Sequence, residues 1–503
     1  MVIDIPLPHW RPDAADINNP GLKRANNCTP SMGNANGTVT YLPMMSAALY
    51  APSSLDSPSR GLMTGTDSLG NAHVYTGTTS GLYHFDASTQ NWANVSGPGG
   101  YTTTEQENWE SIQYASSIIT TNFSDNIQYI NMDSLDPFAD LTTLVRGRHI
   151  TEHRGFVIIG NTQDEFDGQQ PSRVRWSALN NPFDWSFSQA TQADYQDLRN
   201  VGSITGLVSD SDVWIFCTNA IVQMHYIGTP WLYEFSTVVT DRGCTIPSSL
   251  ITVDGKTYFY GGDGWYVFQK GNLQPIGVGK IDRFFNESAD TENFHLMTAV
   301  ADGDDEPIII WSYVSKSTPN GQVDRSLIYN YITGEWSSAD ARSPMLFQSV
   351  TLPWTIDQLD AYGSIDNVPA SFDSNIWAGG NDVIWGLDLS GNVYTMTGPV
   401  MTATFETAEM QIASSLQDAK TDRAQIQAVR PVYQSQGTAT VTVGSKQVPN
   451  ADLIWSNPVT TSEATGYAYV RNQARYHSIR TTISGNWNKI SALQVDAITT
   501  GGR

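Results

Sequence analysis

The sequence predicts an all-β protein: a β-propeller of about six blades followed by a C-terminal β-sandwich or platform. Three observations carry this. First, the 503 residues are 40% hydrophobic and 11% aromatic, and Thr, Ser, Asn, Gly, Tyr and Trp crowd out helix formers, a balance that favours many short strands and turns. Second, residues 241–285 (DRGCTIPSSLITVDGKTYFYGGDGWYVFQKGNLQPIGVGKIDRFF) read as three short strands folded back on one another. They are apolar on both faces, so the small sheet they form is expected to lie between two neighbours. Third, the same phrase of apolar strand, Gly turn, aromatic strand and polar turn recurs from about residue 38 to residue 399.

Taken in order, residues 1–40 are rich in Pro, Asn and Gly without periodicity. They read as an extended N-terminal arm that docks on something, or as a loose terminus. Residues 41–400 are assigned to the propeller. Residues 40–48 open it, 80–85 continue it as far as Trp92, and 154–160 and 213–217 are short, wholly apolar strands. Residues 308–314 should pair with 326–331, and Trp336 ends that blade. Within 241–285 the pair Asp254-Gly255 marks a tight hairpin, because a type I′ turn needs positive φ at both central positions. Segments 258–272 (YFYGGDGWYVFQKGN) and 376–392 (IWAGGNDVIWGLDLSGN) look like copies of one another, as radial repetition would produce. The long stretch 355–373 is read either as a partner-contacting loop or as a disordered insertion. Beyond residue 400, segments 425–433, 438–443, 467–470, 476–483 and 490–497 alternate polar and apolar residues. They define a half-exposed antiparallel domain over 401–503. Residues 405–416 are a strand edge or a short amphipathic piece.

Charge and chemistry narrow the function. The 27 Lys and Arg against 50 Asp and Glu give a net charge of −23, which argues against gripping nucleic acid but not against a wall past which it slides. Cys28, Cys217 and Cys244 form no CxxC and suggest neither a disulfide framework nor a zinc site. The first residues lack the basic start and apolar run of a signal peptide, and no apolar run approaches the length of a membrane span. The densest acidic cluster, Asp302-Gly303-Asp304-Asp305, suits a hard cation or a polar hairpin tip. His149 and His153 lie in or beside a strand, with no HExxH, G-x-S-x-G, P-loop or dinucleotide fingerprint in the chain. Trp176, Trp185, Trp231 and Trp354 are each expected in the core rather than on a sugar platform. No catalytic, cofactor-binding or metal-ligating residue is assigned, and no cofactor is expected.

Several phrases carry a resemblance. They are Ser172-Arg173-Val174-Arg175-Trp176-Ser177 with Asn180-Asn181-Pro182-Phe183-Asp184-Trp185, and Asp241-Arg242-Gly243-Cys244 with the strands after it. At the C-terminus, Ala474-Arg475-Tyr476-His477-Ser478-Ile479-Arg480 precedes Ile483-Ser484-Gly485. Over about residues 145–503 the chain resembles the tail nozzle proteins of short-tailed bacteriophages (podophages), also called tail hub, tail tubular or DNA-stabilisation proteins. The resemblance implies a structural virion protein without enzymatic activity, a homo-hexameric ring below the portal and adaptor that extends the DNA channel and holds, then releases, the genome. It implies as partners the tail adaptor ring, tail fibre, tailspike or needle and plug proteins, and viral DNA that passes without specific binding. Contact with the host surface is a further expectation. The expected location is the virion tail, after assembly in the bacterial cytoplasm. The rivals are a propeller that binds or cleaves polysaccharide and a receptor-binding tail tip.

Overall fold

The computed structural model describes residues 2–16, 19–32, 39–134, 136–302, 306–352, 359, 362–365, 368, 370–372, 374, 377, 380–412 and 423–500. Strands hold 55% of the protein and helices 4%, so it is nearly all β. The 251–275 sheet shows how the sequence builds it. Strands Ile251–Val253, Lys256–Tyr260, Trp265–Gln269 and Asn272–Pro275 pair antiparallel in order. Asp254 (φ 50°) and Gly255 (φ 69°) make the first turn and Lys270 (φ 46°) and Gly271 (φ 87°) the last, both of the primed kind that matches strand twist. The aromatic side chains alternate outward from the two faces. Phe259 meets Phe216 at 5.3 Å on one side, and Tyr258 meets Tyr329 at 5.8 Å on the other. A sheet of this kind is held by its neighbours rather than by water.

Six such four-stranded sheets stand on their own, spanning 62–94, 110–142, 145–197, 204–240, 251–275 and 345–395. They are the blades of the propeller. The last takes its outer strand, Ala48–Ala51, from the start of the chain, which closes the ring by pairing early residues with late ones. Between the 251–275 and 345–395 blades stands a further four-stranded meander over 298–340, whose first strand packs against both neighbours. Its outer strand, Glu335–Asp340, hands over to Leu22–Asn26 and so to a fourteen-stranded sheet. Around the axis, inner edges are stitched as well as packed. Gln113 of one blade donates to the Thr66 carbonyl oxygen (2.9 Å) of the next and accepts from its amide (3.1 Å).

The C-terminal platform is a curled sheet, a half-barrel. Arg423–Lys446 and Tyr476–Thr500 pair along their full lengths. Ala424 at one end of the first strand pairs with Ala474, and Lys446 at the other end pairs with Tyr476. Twenty-four extended residues would span roughly 80 Å, yet Ala474 and Tyr476 are only two residues apart. The strand must therefore bend back on itself, and register shifts after Ile426, Val432 and Gln434 supply the bends. Of segment 405–416, Ala403–Thr407 is a strand of this sheet and 413–416 lie outside the described residues.

The first forty residues are tied down at many points. Val2–Pro6 pairs with the 492–496 stretch, and Leu22–Asn26 pairs with Ala403–Thr407. Val39–Pro43 pairs with Cys28–Met32 rather than with a blade. Arg11 grips Glu335 at 2.9 Å, and the Asp13 carboxylate accepts from the Arg283 and Phe284 amides at 2.9 and 2.8 Å. It thus caps Asp282–Ser288, the one α-helix among the described residues. One hydrophobic core runs through Trp10, Trp265, Trp311, Trp336, Phe405 and Trp487, so it crosses residue 400 without a break.

Two local expectations are corrected. The two look-alike segments are not equivalent repeats: GGDG joins the second and third strands of the 251–275 blade, whereas Gly380-Asn381 leads into Asp382–Leu387, the second strand of its blade. A Gly-Gly pair specifies a turn, not which turn. Trp231 is 79% exposed at the tip of a hairpin, unlike the buried Trp176 and Trp185, because it sits beyond the reach of any neighbouring blade. Trp354, most of the 355–373 loop and residues 303–305 of the acidic cluster lie outside the described residues, and Asp302 ends a strand.

Asp282 gives a pH test of this junction. Burial pushes its carboxyl up to about 6, helped by Asp13 and Asp263, although it accepts from the Trp265 amide at 3.1 Å. A folded-state value above the unfolded one means stability is lost as pH rises from about 4 to 6. Asp282→Asn is therefore expected to leave stability unchanged near pH 4 and to raise it by about 1–2 kcal/mol above pH 7. Denaturation midpoints of both proteins across that range check it, and a parallel pH dependence for the two would refute it.

Candidate functional site

Two regions have the geometry to act on something else: the mouth of the propeller and the outer face of the curled sheet. The mouth lies where the innermost strands begin. A cavity of about 340 Å³ opens there, lined among others by Arg60, Asn108, Trp109, His295, Met297 and Leu346. The segments before these strands hold it in shape. Trp109 donates to the Thr78 carbonyl at 2.9 Å, Asn108 donates across the opening to the His295 carbonyl at 3.2 Å, and Arg60 donates to the Glu105 carbonyl. Burial, with the nearby Arg60 charge, holds the His295 imidazole below its usual value. The cavity thus presents one guanidinium, a neutral imidazole and apolar walls. Among the described residues no carboxylate lines it, so these residues do not supply the paired acids that glycoside cleavage needs.

The phrases that carry the resemblance are spent on scaffold. Arg173 and Arg175 lie on strand Gly168–Trp176 with almost no exposure. Arg173 reaches Asp164 and Asp167 at 2.8 Å each and Asp197 through two bonds, at 2.6 and 3.1 Å. Its charge also stacks 4.1 Å from the centre of the Tyr195 ring. Arg175 donates to the Trp185 carbonyl at 3.1 Å and lies over Phe187. In the second phrase, Arg242 bridges to Asp263 at 2.6 Å and the Cys244 carbonyl accepts from Thr205 at 2.8 Å. His149 hydrogen-bonds Glu110 at 2.8 Å, and His153 faces Tyr233 and the Ser211 carbonyl. Burial raises the thiols of Cys217 and Cys244 to about 12, and all three cysteines are buried and unbonded to one another. Among the described residues no group of His, Cys, Asp and Glu has metal-binding spacing, and no helix is long and apolar enough to cross a membrane.

The curled sheet was not singled out in the sequence, though counting charge by segment would have found it. Residues 423–503 hold eight Lys and Arg against three Asp and Glu, a net +5, leaving 19 against 47, a net −28, in residues 1–422. Arg480 pairs with Glu406 at 2.8 Å and Lys446 with Glu409 at 2.7 Å. Arg423, Arg430, Arg471, Arg475 and Lys489 have no carboxylate partner among the described residues. The register that pairs Ala424 with Ala474 puts Arg475 beside the position across from Arg423, and the Nε atoms of both are shielded from water without a hydrogen bond.

No protein-family model matches the chain, and no curated protein matches it. Among solved structures it is similar to BamB from Moraxella catarrhalis (12% identity over 70% of this chain and 92% of that one, TM-score 0.35). It is similar also to the Pan2 WD40 domain of Neurospora crassa (8% identity, 59% and 85%, TM-score 0.32). A third is the computationally designed Ika8 protein (11% identity, 71% and 99%, TM-score 0.35).

Proposed function

We propose that this protein is a structural component of a short-tailed phage virion, a ring-forming tail nozzle that extends the DNA channel and has no enzymatic activity. The observation that carries the reading is where the family-like phrases fall. Arg173, Arg175, Arg242 and Cys244 each lock one strand or blade to the next, the work of a scaffold. Two further features support it. Both ends of the chain enter the sheet that holds the propeller, which suits a part that carries load. The carboxylates are concentrated in residues 1–422, so a bore lined by that part would repel phosphate and let DNA slide. The adaptor ring, tail fibre or needle proteins, and passing DNA are the partners this role entails.

The test is the solution mass of the purified protein, followed by negative-stain images, alone and with an adaptor ring. A closed ring of about six copies with a central hole is the expected result. A protein that stays monomeric and fails to join the adaptor would refute the role and direct attention to glycan binding.

A further inference from the structure

We infer that the basic face of the curled sheet docks onto the acidic, aromatic rim of the 145–197 blade in a second copy of this chain, so that copies associate head to tail. The inference deepens the ring reading above and rests on it.

The basic side is incomplete as it stands. Arg423 and Arg475 face one another across neighbouring strands with no carboxylate among the described residues between them, and like charges so placed are destabilising. Their buried, unbonded Nε atoms lack the acceptor that a docked carboxylate would supply. Around them the sheet leaves Tyr469 (62%) and Ile498 (45%) exposed, and Arg471 is exposed two residues from Tyr469. This face is apolar and cationic together.

The complementary surface is on the same chain. The outer strand of the 145–197 blade, Asp194–Asp197, is exposed at all four residues. Among the described residues no strand hydrogen-bonds to its outer edge, since it ends its sheet. Phe187 packs on Tyr195 at 5.4 Å, with Asp167 and Asp197 clamped beside them on Arg173. Phe166 stands 80% exposed between the exposed Glu165 and Asp167. Exposed aromatics rimmed by carboxylates mark a contact surface. Among the described residues no hydrogen bond or ion pair joins residues 165–197 to residues 423–500, so the contact is not made within one copy. A contact between two different patches of identical chains is heterologous, and such contacts close into a ring when the rotation from copy to copy closes. A nucleic acid is the weaker match for the basic face, because five unpaired cations stand against a net −28 in the rest of the chain, which repels phosphate.

The experiment uses the full-length protein in sedimentation velocity at roughly 50 and 500 mM salt, with two charge-reversed variants. One carries Arg423→Glu and Arg471→Glu, the other Glu165→Lys and Asp194→Lys. Arg471→Glu alone, at an exposed position, controls for folding through its far-UV spectrum and melting temperature. The wild type is expected to assemble and to dissociate as salt rises. Each reversed variant should associate at least tenfold more weakly, and an equal mixture of the two should regain assembly, since each then meets its opposite. If both variants assemble like the wild type, the contact lies elsewhere and the inference falls while the ring reading stands. If the variants weaken but the mixture does not recover, these two patches are not partners and the inference again falls. If the wild type remains monomeric at low salt, the inference falls, and the ring reading falls with it only if the protein also fails to join an adaptor ring. A labelled DNA duplex measured alongside provides the last arm: loss of duplex binding in the Arg variant with unchanged assembly would reassign the face to phosphate.

Discussion

Replacing Arg173 with alanine is expected to destabilise the 145–197 blade by about 3–5 kcal/mol, the range for removing one partner of a buried ion pair. The size follows from what is left behind. Asp164 is almost fully buried and its nearest cation is Arg173 at 2.8 Å, with Arg175 farther off at 3.7 Å. Burial alone would push its carboxyl up. The Asp167 amide, the Arg173 guanidinium and the Phe166 amide outweigh that and hold it below the usual range. Without the guanidinium, the carboxylate must stay charged in a poor solvent or take up a proton, and both cost stability. Asp167 and Asp197 are half exposed, so water recovers part of their loss and they add little. Arg173→Lys should recover less than half of the deficit, because an ammonium cannot span Asp164, Asp167 and the two oxygens of Asp197 together. A depressed folded-state value contributes stability above the unfolded one and loses it as pH falls. The gap between wild type and Arg173→Ala should therefore narrow below about pH 4. Hydrogen exchange along Gly168–Trp176 is the local readout, and a uniform loss below about 1 kcal/mol would show that the cluster is a surface feature after all.

How much of this was legible in the sequence depends on the range of the interaction. Asp254-Gly255 announces its turn because few other residues tolerate positive φ twice in succession. Tyr258, Phe259 and Tyr260 announce two neighbours because one sheet cannot leave both aromatic faces in water. These are local arguments, and the blade is built as they say. The curl of Arg423–Lys446 was not legible, since alternation identifies a strand but not the bends that return its end to Ala474 and Tyr476. Nor was the exposure of Trp231, which depends on how far a hairpin outruns its neighbours. The Arg173 cluster appeared only as a phrase, because its carboxylates come from the turn before its strand, Asp164 and Asp167, and from the strand after it, Asp197. The basic sheet was visible all along as a charge imbalance, but net charge over the whole chain hides it.

Gly243→Ala should be worse than its single methyl suggests, costing about 3 kcal/mol or more, at or beyond the upper end for overpacking. Residues 241–244 carry the chain from the 204–240 blade to the 251–275 blade. At Gly243 the backbone passes so close to the preceding blade that a Cβ would lie 1.8 Å from the Cys217 carbonyl oxygen and 2.8 Å from that of Ala220. Both obstacles are backbone, so no rotamer change relieves them. The crossing cannot simply swing away, because its two flanks are pinned. Arg242 is held by Asp263 and lies over the Tyr266 ring, while the Cys244 and Tyr260 carbonyls accept from Thr205 and the Thr245 amide. The strain must then enter strands Val213–Cys217 and Lys256–Tyr260, where Phe216 and Phe259 pack between the blades. Gly255→Asn is the control: its site is open, with φ 69°, and asparagine tolerates that region, so it should cost under about 1 kcal/mol. Faster exchange in both blades and a lower melting temperature for Gly243→Ala alone are expected. Equal behaviour of the two variants would mean that the crossing has slack and that Asp241-Arg242-Gly243-Cys244 is not the hinge pin between them.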